Sequence, residues 1–109
     1  MQRLLLVVMT VLLLSACTAG VGPIEDGIAA YTRGDYATAL RLWQALAAQG
    51  DAAAQSNLGV MYSRGQGLTR DYAEAVKWYR LAAAQGNARA QFNLGVMFDN
   101  GKGVTRDYA

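Results

Sequence analysis

Shifted by 36 residues, the sequence overlays itself. Asp35-Tyr36-Ala37 returns as Asp71-Tyr72-Ala73 and again as Asp107-Tyr108-Ala109. Asn57-Leu58-Gly59-Val60-Met61 returns as Asn93-Leu94-Gly95-Val96-Met97, and Ala47-Ala48-Gln49-Gly50 as Ala83-Ala84-Gln85-Gly86. Between residues 35–73 and 71–109 about 23 of 39 positions are identical, at a period in the range of solenoids. A single unit of that kind cannot bury its apolar face alone, so neighbouring units must stack. The chain is rich in Ala and poor in β-branched residues after residue 24, which favours helices over sheet.

Each period reads as two helices. One is expected over Ala52 to Arg64, with Asp51 as N-cap and Gly65 as terminator. Its apolar stripe is Ala54, Leu58, Met61 and Tyr62, at i, i+4, i+7 and i+8. The second is expected over Tyr72 to Gln85. Asp71 caps it, Glu74 completes a capping-box-like pair, and Gly86 ends it. Tyr72, Ala75, Val76, Tyr79, Ala82 and Ala83 form its buried side. Gly59 and Gly95 fall inside helices, where Gly costs about 1 kcal/mol against Ala. Their recurrence implies close approach of a neighbouring helix, against its Ala positions.

The stretch AxAQxNLGxMYxxGxGxxxDYxxAxxWYxxAAxQG, residues 52–86, resembles the Sel-1-like repeat family, a relative of the tetratricopeptide repeats. The resemblance implies an all-α, right-handed α–α solenoid of antiparallel helix pairs. In the family's phase, residues 52–87 are one complete repeat and residues 88–109 are the first half of another. Residues 24–51 resemble a degenerate first repeat, keeping Ala30, Tyr31, Gly34, Asp35, Tyr36, Ala39, Trp43 and Gly50. That first unit lacks the loop that separates Gly65 from Asp71, so its helices turn tightly. The repeated Asp107-Tyr108-Ala109 reads as the start of a further helix, so the sequence is expected to be a fragment of a longer solenoid. Leu94, Met97 and Phe98 are therefore expected to be partly uncovered.

The amino-terminal segment has a different logic. Gln2 and Arg3 are followed by Leu4 to Leu14, apolar except for Thr10. This run is too short to span a bilayer, which takes about 20 residues, and has the length of a secretory signal core. It ends in Leu14-Ser15-Ala16-Cys17, which resembles the lipobox of bacterial lipoproteins. The resemblance implies removal of residues 1–16 and acylation of Cys17, with several acyl chains giving a stable membrane anchor. A plain signal peptide with an incidental Cys and an uncleaved anchor are the alternatives. Thr18 stands where Asp would signal inner-membrane retention, so the expected location is the outer membrane, facing the periplasm. Residues 17–23 (CTAGVGP) read as a flexible tether, with Pro23 just before the first helical pattern.

Composition restricts the chemistry. The chain has no His and one Cys, which removes the usual general base, Ser-His and Cys-His pairs, and the usual metal sets. A net charge of +2 gives no electrostatic case for nucleic acid. Gly65-Gln66-Gly67 and Gly101-Lys102-Gly103 follow helices and lack a phosphate-loop ending, so they read as helix-ending turns. Trp43, Trp78, Tyr36, Tyr72 and Tyr79 lie at helical spacing and read as core rather than as a ligand platform. The acidic residues sit mostly at helix starts, where a carboxylate satisfies free N–H groups.

The candidate binding surface is the other face of the first helix of each repeat: Ala53, Asn57, Val60 and Arg64, with their equivalents Arg89, Asn93, Val96 and Asn100. In tetratricopeptide-like solenoids that face lines the concave groove, and Asn before Leu-Gly resembles the asparagine ladder some of them use on a peptide backbone. An amide offers both a donor and an acceptor; Asn57 and Asn93 could equally stabilise the solenoid or face water. Arg64 and Arg89 favour an acidic or C-terminal carboxylate partner. The expectation is a lipid-anchored envelope adaptor that binds a protein or peptide without catalysis, cofactor, metal or nucleic acid. The alternatives are β-lactam binding or hydrolysis, as linked to Cys-rich relatives whose Cys pairs are missing here, and a secreted host-interaction factor.

Overall fold

The computed structural model describes residues 22–104. The lipobox residues Leu14, Ser15, Ala16 and Cys17, most of the tether and the Asp107-Tyr108-Ala109 triplet lie outside the described residues. Five helices follow one another: α1 (Pro23–Thr32), α2 (Tyr36–Ala48), α3 (Ala52–Arg64), α4 (Tyr72–Ala84) and α5 (Ala88–Asn100). Each packs on its neighbours in sequence, and α3 also touches α5. Among the described residues there is no strand, and the result is an all-α solenoid. None of these helices is long and apolar enough to cross a membrane.

The caps follow from side chains at fixed offsets. Asp35, Asp51, Asp71 and Asn87 accept hydrogen bonds from the backbone N–H of Thr38, Ala54, Glu74 and Ala90, at 3.2, 2.9, 3.1 and 2.9 Å. Each satisfies one amide of the first helical turn that has no intrahelical partner. Glu74 does not reciprocate, contrary to the capping-box reading, because the Asp71 N–H instead donates to the Tyr62 carbonyl at 2.9 Å, and the Glu74 carboxylate accepts from Lys77 Nζ at 3.3 Å. α3 and α5 end on Gly65 and Gly101 in the left-handed region, at φ 68° and 64°, which glycine adopts without a Cβ penalty. Pro23 is the first residue of α1 rather than the last of the tether, with Gly22 as N-cap; Pro suits that position because its missing N–H would have no partner there.

Two apolar clusters fill the spaces between helices. Ala30, Ala39, Trp43, Ala47, Ala54, Leu58 and Met61 form the first. Val60, Ala75, Val76, Tyr79, Ala82, Ala90 and Met97 form the second. The mid-helix glycines set how closely the helices approach. A Cβ on Gly27 would overlap the Trp43 indole, and one on Gly59 would overlap the Tyr79 ring. The close neighbour of Gly59 is therefore an aromatic ring, not an Ala. Gly95 has the same place on α5, but a Cβ there would meet nothing within 4 Å.

α3 is buried on nearly every side from Ala54 to Met61, since α2, α4 and α5 all touch it. The corresponding side of α5 is open. Ser56 is 1% exposed, whereas Phe92, one period later, is 72% exposed. Leu94 and Phe98 are half-buried, in line with the expectation of partial cover, while Met97 is buried, so the expectation is corrected for Met97 alone. All three point back onto α4, and the uncovered apolar residues are Phe92 and Val96. They share the Gly95 side of the helix, where a following helix would lie.

Successive repeats are joined by glutamines. Gln55 and Gln91 donate to the carbonyls of Ala47 and Ala83 at 3.3 and 3.2 Å, satisfying acceptors at the ends of α2 and α4. Gln85 adds bonds to the Gly50 carbonyl and the Gln55 amide oxygen, both at 2.9 Å. The loop after α3 also reaches backward. Gln66 accepts from the Tyr31 hydroxyl at 2.7 Å and donates to that of Tyr36 at 3.5 Å, and a Cβ on Gly67 would press on the Tyr36 backbone. The loop after α5 repeats this arrangement, with Gly103 against the Tyr72 backbone and Lys102 Nζ 5.3 Å from the Tyr72 ring centroid.

Candidate functional site

Two adjoining cavities run along the side of the molecule built by α1, α3 and α5. The first, about 240 Å³, is lined by Ile28 and Tyr31 of α1, Trp43 of α2, Asn57 and Val60 of α3, and Arg89 of α5. The second, about 340 Å³, is lined by Val60, Ser63, Arg64, Tyr72, Tyr79, Arg89, Asn93, Val96, Met97, Asn100 and Lys102. Val60 and Arg89 border both. All seven groove positions of the sequence reading, Asn57, Val60, Arg64, Arg89, Asn93, Val96 and Asn100, therefore line one or both cavities.

They are not equivalent there. Asn57 is 8% exposed, and its amide oxygen accepts from Arg89 Nη1 at 3.1 Å. Its carbonyl is thus committed to the solenoid, while Asn93 is half-buried. Val60 is buried in the second core cluster, whereas Val96 is 40% exposed. Asn57 and Val60 shape the floor of the groove; Arg64, Arg89 and Asn100 are exposed at its sides. Arg64 Nη1 also donates to the Tyr31 hydroxyl at 3.2 Å, which connects α3 back to α1.

The aromatic residues divide as their spacing implies. Trp43 and Tyr79 are 3% exposed, and Tyr36, Tyr72 and Trp78 pack partly buried against the clusters. Trp43 and Tyr79 each show one edge to a cavity. Burial pushes the Tyr79 phenol above its ordinary value of 10.0, against a smaller pull from Ser63, Arg89, Arg64 and Asn93. The phenol is therefore a neutral hydrogen-bonding group at physiological pH.

Lys102 and Ser63 were not anticipated as lining residues. Lys102 belongs to a Gly-x-Gly turn, and nothing in that pattern tells which way the turn folds. Its counterpart Gln66 offers the available signal, because both reach back to the tyrosine that begins the preceding repeat's second helix. The second cavity thus carries Arg64, Arg89 and Lys102, and among the described residues no carboxylate lines it. The ion pairs of the described residues are Arg33 with Asp35 and Lys77 with Glu74; neither pair lines a cavity. Among the described residues no three of His, Cys, Asp or Glu gather to hold a metal ion.

A stacked series of helix pairs with a cavity-bearing side defines a repeat scaffold. The Sel1 repeat family model matches residues 15–51, 52–87 and 88–109, and the chain belongs to the Sel1 repeat family, whose members commonly act as protein-interaction scaffolds. The solved structure of c5321, described as a protective antigen present in uropathogenic Escherichia coli strains and displaying an SLR fold, is 43% identical. It matches with a TM-score of 0.73 over 79% of this chain and 19% of its own. A Sel1 repeat protein from Oxalobacter formigenes is 34% identical, also at a TM-score of 0.73, over 80% of this chain and 35% of its own. The chain thus spans about a fifth and a third of the lengths of these two relatives. No curated protein matches it.

Proposed function

We propose that this chain is a lipid-anchored adaptor of the bacterial envelope, holding a protein partner non-covalently in the groove along α1, α3 and α5. The observation that carries the binding reading is the pair of adjoining cavities, one mostly apolar and one polar and cationic, sharing Val60 and Arg89. A peptide needs both kinds of surface: apolar pockets for anchoring side chains, and placed polar groups for orientation. Asn93 and Asn100 offer amides to a peptide backbone. The rigid scaffold beneath keeps the groove formed before binding, which lowers the ordering entropy lost on association.

The anchor rests on Leu14-Ser15-Ala16-Cys17 and the apolar run before it. Thr18 favours the outer membrane, facing the periplasm. Mass spectrometry of the amino terminus tests this, the expected species being acylated Cys17; an unmodified chain starting elsewhere refutes it. Photo-crosslinkers at Asn93 and Asn100 in membranes test the adaptor role. A discrete protein adduct from both positions, absent from a crosslinker at exposed Arg41 on α2, is the expected result.

A second reading, exposure to a host, draws on the description of the 43%-identical relative as a protective antigen. Protease treatment of intact cells separates the two: degradation favours surface display, and protection favours the periplasmic adaptor.

A further inference from the structure

We infer that the groove takes an acidic segment of a partner protein, with two or more Asp or Glu side chains beside one large apolar side chain. The inference rests on the groove reading above and gives the partner its chemistry. Arg64, Arg89 and Lys102 converge on one cavity from three separate elements: the last turn of α3, the first turn of α5 and the loop after α5. Among the described residues no carboxylate lines that cavity. The nearest acidic side chain in sequence to its α4 wall, Asp71, is engaged in capping α4. Like charges brought together without counter-charge repel, and an anionic ligand relieves that repulsion while excluding partners of the wrong sign.

Three cations call for more than one negative charge. A single terminal carboxylate would leave most of them unmatched, which favours clustered acidic side chains as the source. Their geometry suits carboxylates as well: a guanidinium presents paired N–H donors that match a carboxylate's two oxygens, and Lys102 adds a mobile point charge. The adjoining cavity is lined by Ile28, Tyr31, Trp43 and Val60 and takes the apolar side chain. Because Arg89 borders both cavities, the apolar residue and the acidic cluster lie close together in the partner's sequence.

A library of octapeptides, randomised at every position and capped at both ends, tests this against the full chain. The caps leave side chains as the sole source of carboxylates. The expected result is enrichment of Asp and Glu clustered next to an aromatic or aliphatic residue, with binding that weakens as salt rises. Lys102→Glu and Arg64→Glu should each weaken the selected peptides about tenfold or more, while Arg41→Glu, on exposed α2 surface, leaves them unchanged. Among the described residues the Lys102 side chain makes no hydrogen bond, its contact being the Tyr72 ring, and thermal unfolding verifies that both variants are folded. Enrichment without acidic residues overturns the acidic-partner inference but leaves the groove reading standing. Acidic peptides insensitive to both reversals, or ligands recovered only when the C-terminal cap is removed, also overturn it. No enrichment of any peptide overturns the groove reading and this inference together.

Discussion

Arg89, in the first turn of α5, donates from Nη1 to the amide oxygen of Asn57 in the middle of α3, at 3.1 Å. The bond crosses from one repeat to the next on the floor of the groove. It makes Asn57 a strut and Arg89 both a strut and a wall of the two cavities. Truncating either residue should lower stability by about 1–3 kcal/mol, because a charged donor is lost or a buried acceptor is left without its partner. In an Asn57→Ala, Arg89→Ala double-mutant cycle followed by urea unfolding, the two losses should couple by about 1 kcal/mol. Strict additivity would mean that the bond contributes nothing to the fold.

Gly59 and Gly95 occupy the same place in the repeat and should answer the same substitution with opposite sign. At Gly59 an added methyl collides with the Tyr79 ring, and such overpacking costs about 1–3 kcal/mol. At Gly95 the methyl meets open space, so Gly95→Ala should gain up to about 1 kcal/mol from helix propensity alone. Thermal unfolding of the two variants measures both. A destabilised Gly95→Ala would show that something already covers α5.

The Ser56 hydroxyl is buried between helices and has no hydrogen-bond partner among the described residues. A buried polar group without a partner costs about 1–3 kcal/mol of desolvation. Ser56→Ala removes that group, leaves a small void and improves helix propensity, so it should be neutral or stabilising by up to about 1 kcal/mol. A loss beyond about 1 kcal/mol in chemical unfolding would mean that the hydroxyl has a partner after all.

Two groups tie stability to pH at opposite ends of the scale. Hydrogen bonds from Thr38, and more weakly the Arg33 guanidinium, hold the Asp35 carboxyl below its ordinary 3.8. The stability it contributes is present above that value and is lost as pH falls through the folded pKa. Asp35→Asn keeps a competent cap and should flatten the acid limb of a plot of unfolding midpoint against pH. Tyr79 is raised above 10.0 by burial. Its contribution is complete below pH 10 and is lost as pH rises toward the folded value, so Tyr79→Phe should flatten the alkaline limb. An acid limb unchanged in Asp35→Asn, or an alkaline limb unchanged in Tyr79→Phe, would remove that residue from the account.

Much of the fold was legible because it is periodic. Asp51 and Asp71 stand at a fixed offset from the helices they cap, and the 36-residue shift carries the core positions Ala39, Ala54 and Met61 onto Ala75, Ala90 and Met97. The groove was legible only in outline. Arg89 has Ala53 as its counterpart one period earlier, so no repetition marks its bond to Asn57. Helical spacing placed Asn57 and Val60 on a face away from the core stripe, yet α3 is enclosed by three other helices and has little free surface. Periodicity gives the face of a helix but not the number of its neighbours. For the same reason it counts Met97 among the partly uncovered residues and passes over Phe92, which with Val96 carries the open side of α5. Lys102 escaped because a loop's direction is set by what it folds back upon, here the ring of Tyr72.

That backward reach gives the solenoid a polarity. The loop of residues 65–71 covers the Tyr36 end of the repeat before it, and the loop beginning at Gly101 covers the Tyr72 end in turn. The first helix pair has a three-residue turn, Arg33 to Asp35, where the second has its loop, and among the described residues no earlier pair precedes it to be covered. Yet Trp43 sits on Gly27 as Tyr79 sits on Gly59, so helix contact within a pair does not depend on the loop. Each complete unit is therefore a link with a hook on one end and an eye on the other. Duplicating residues 52–87 would lengthen the chain of links and keep every joint latched. Duplicating residues 24–51 would add an eye with no hook, and one joint of the series would be left unlatched.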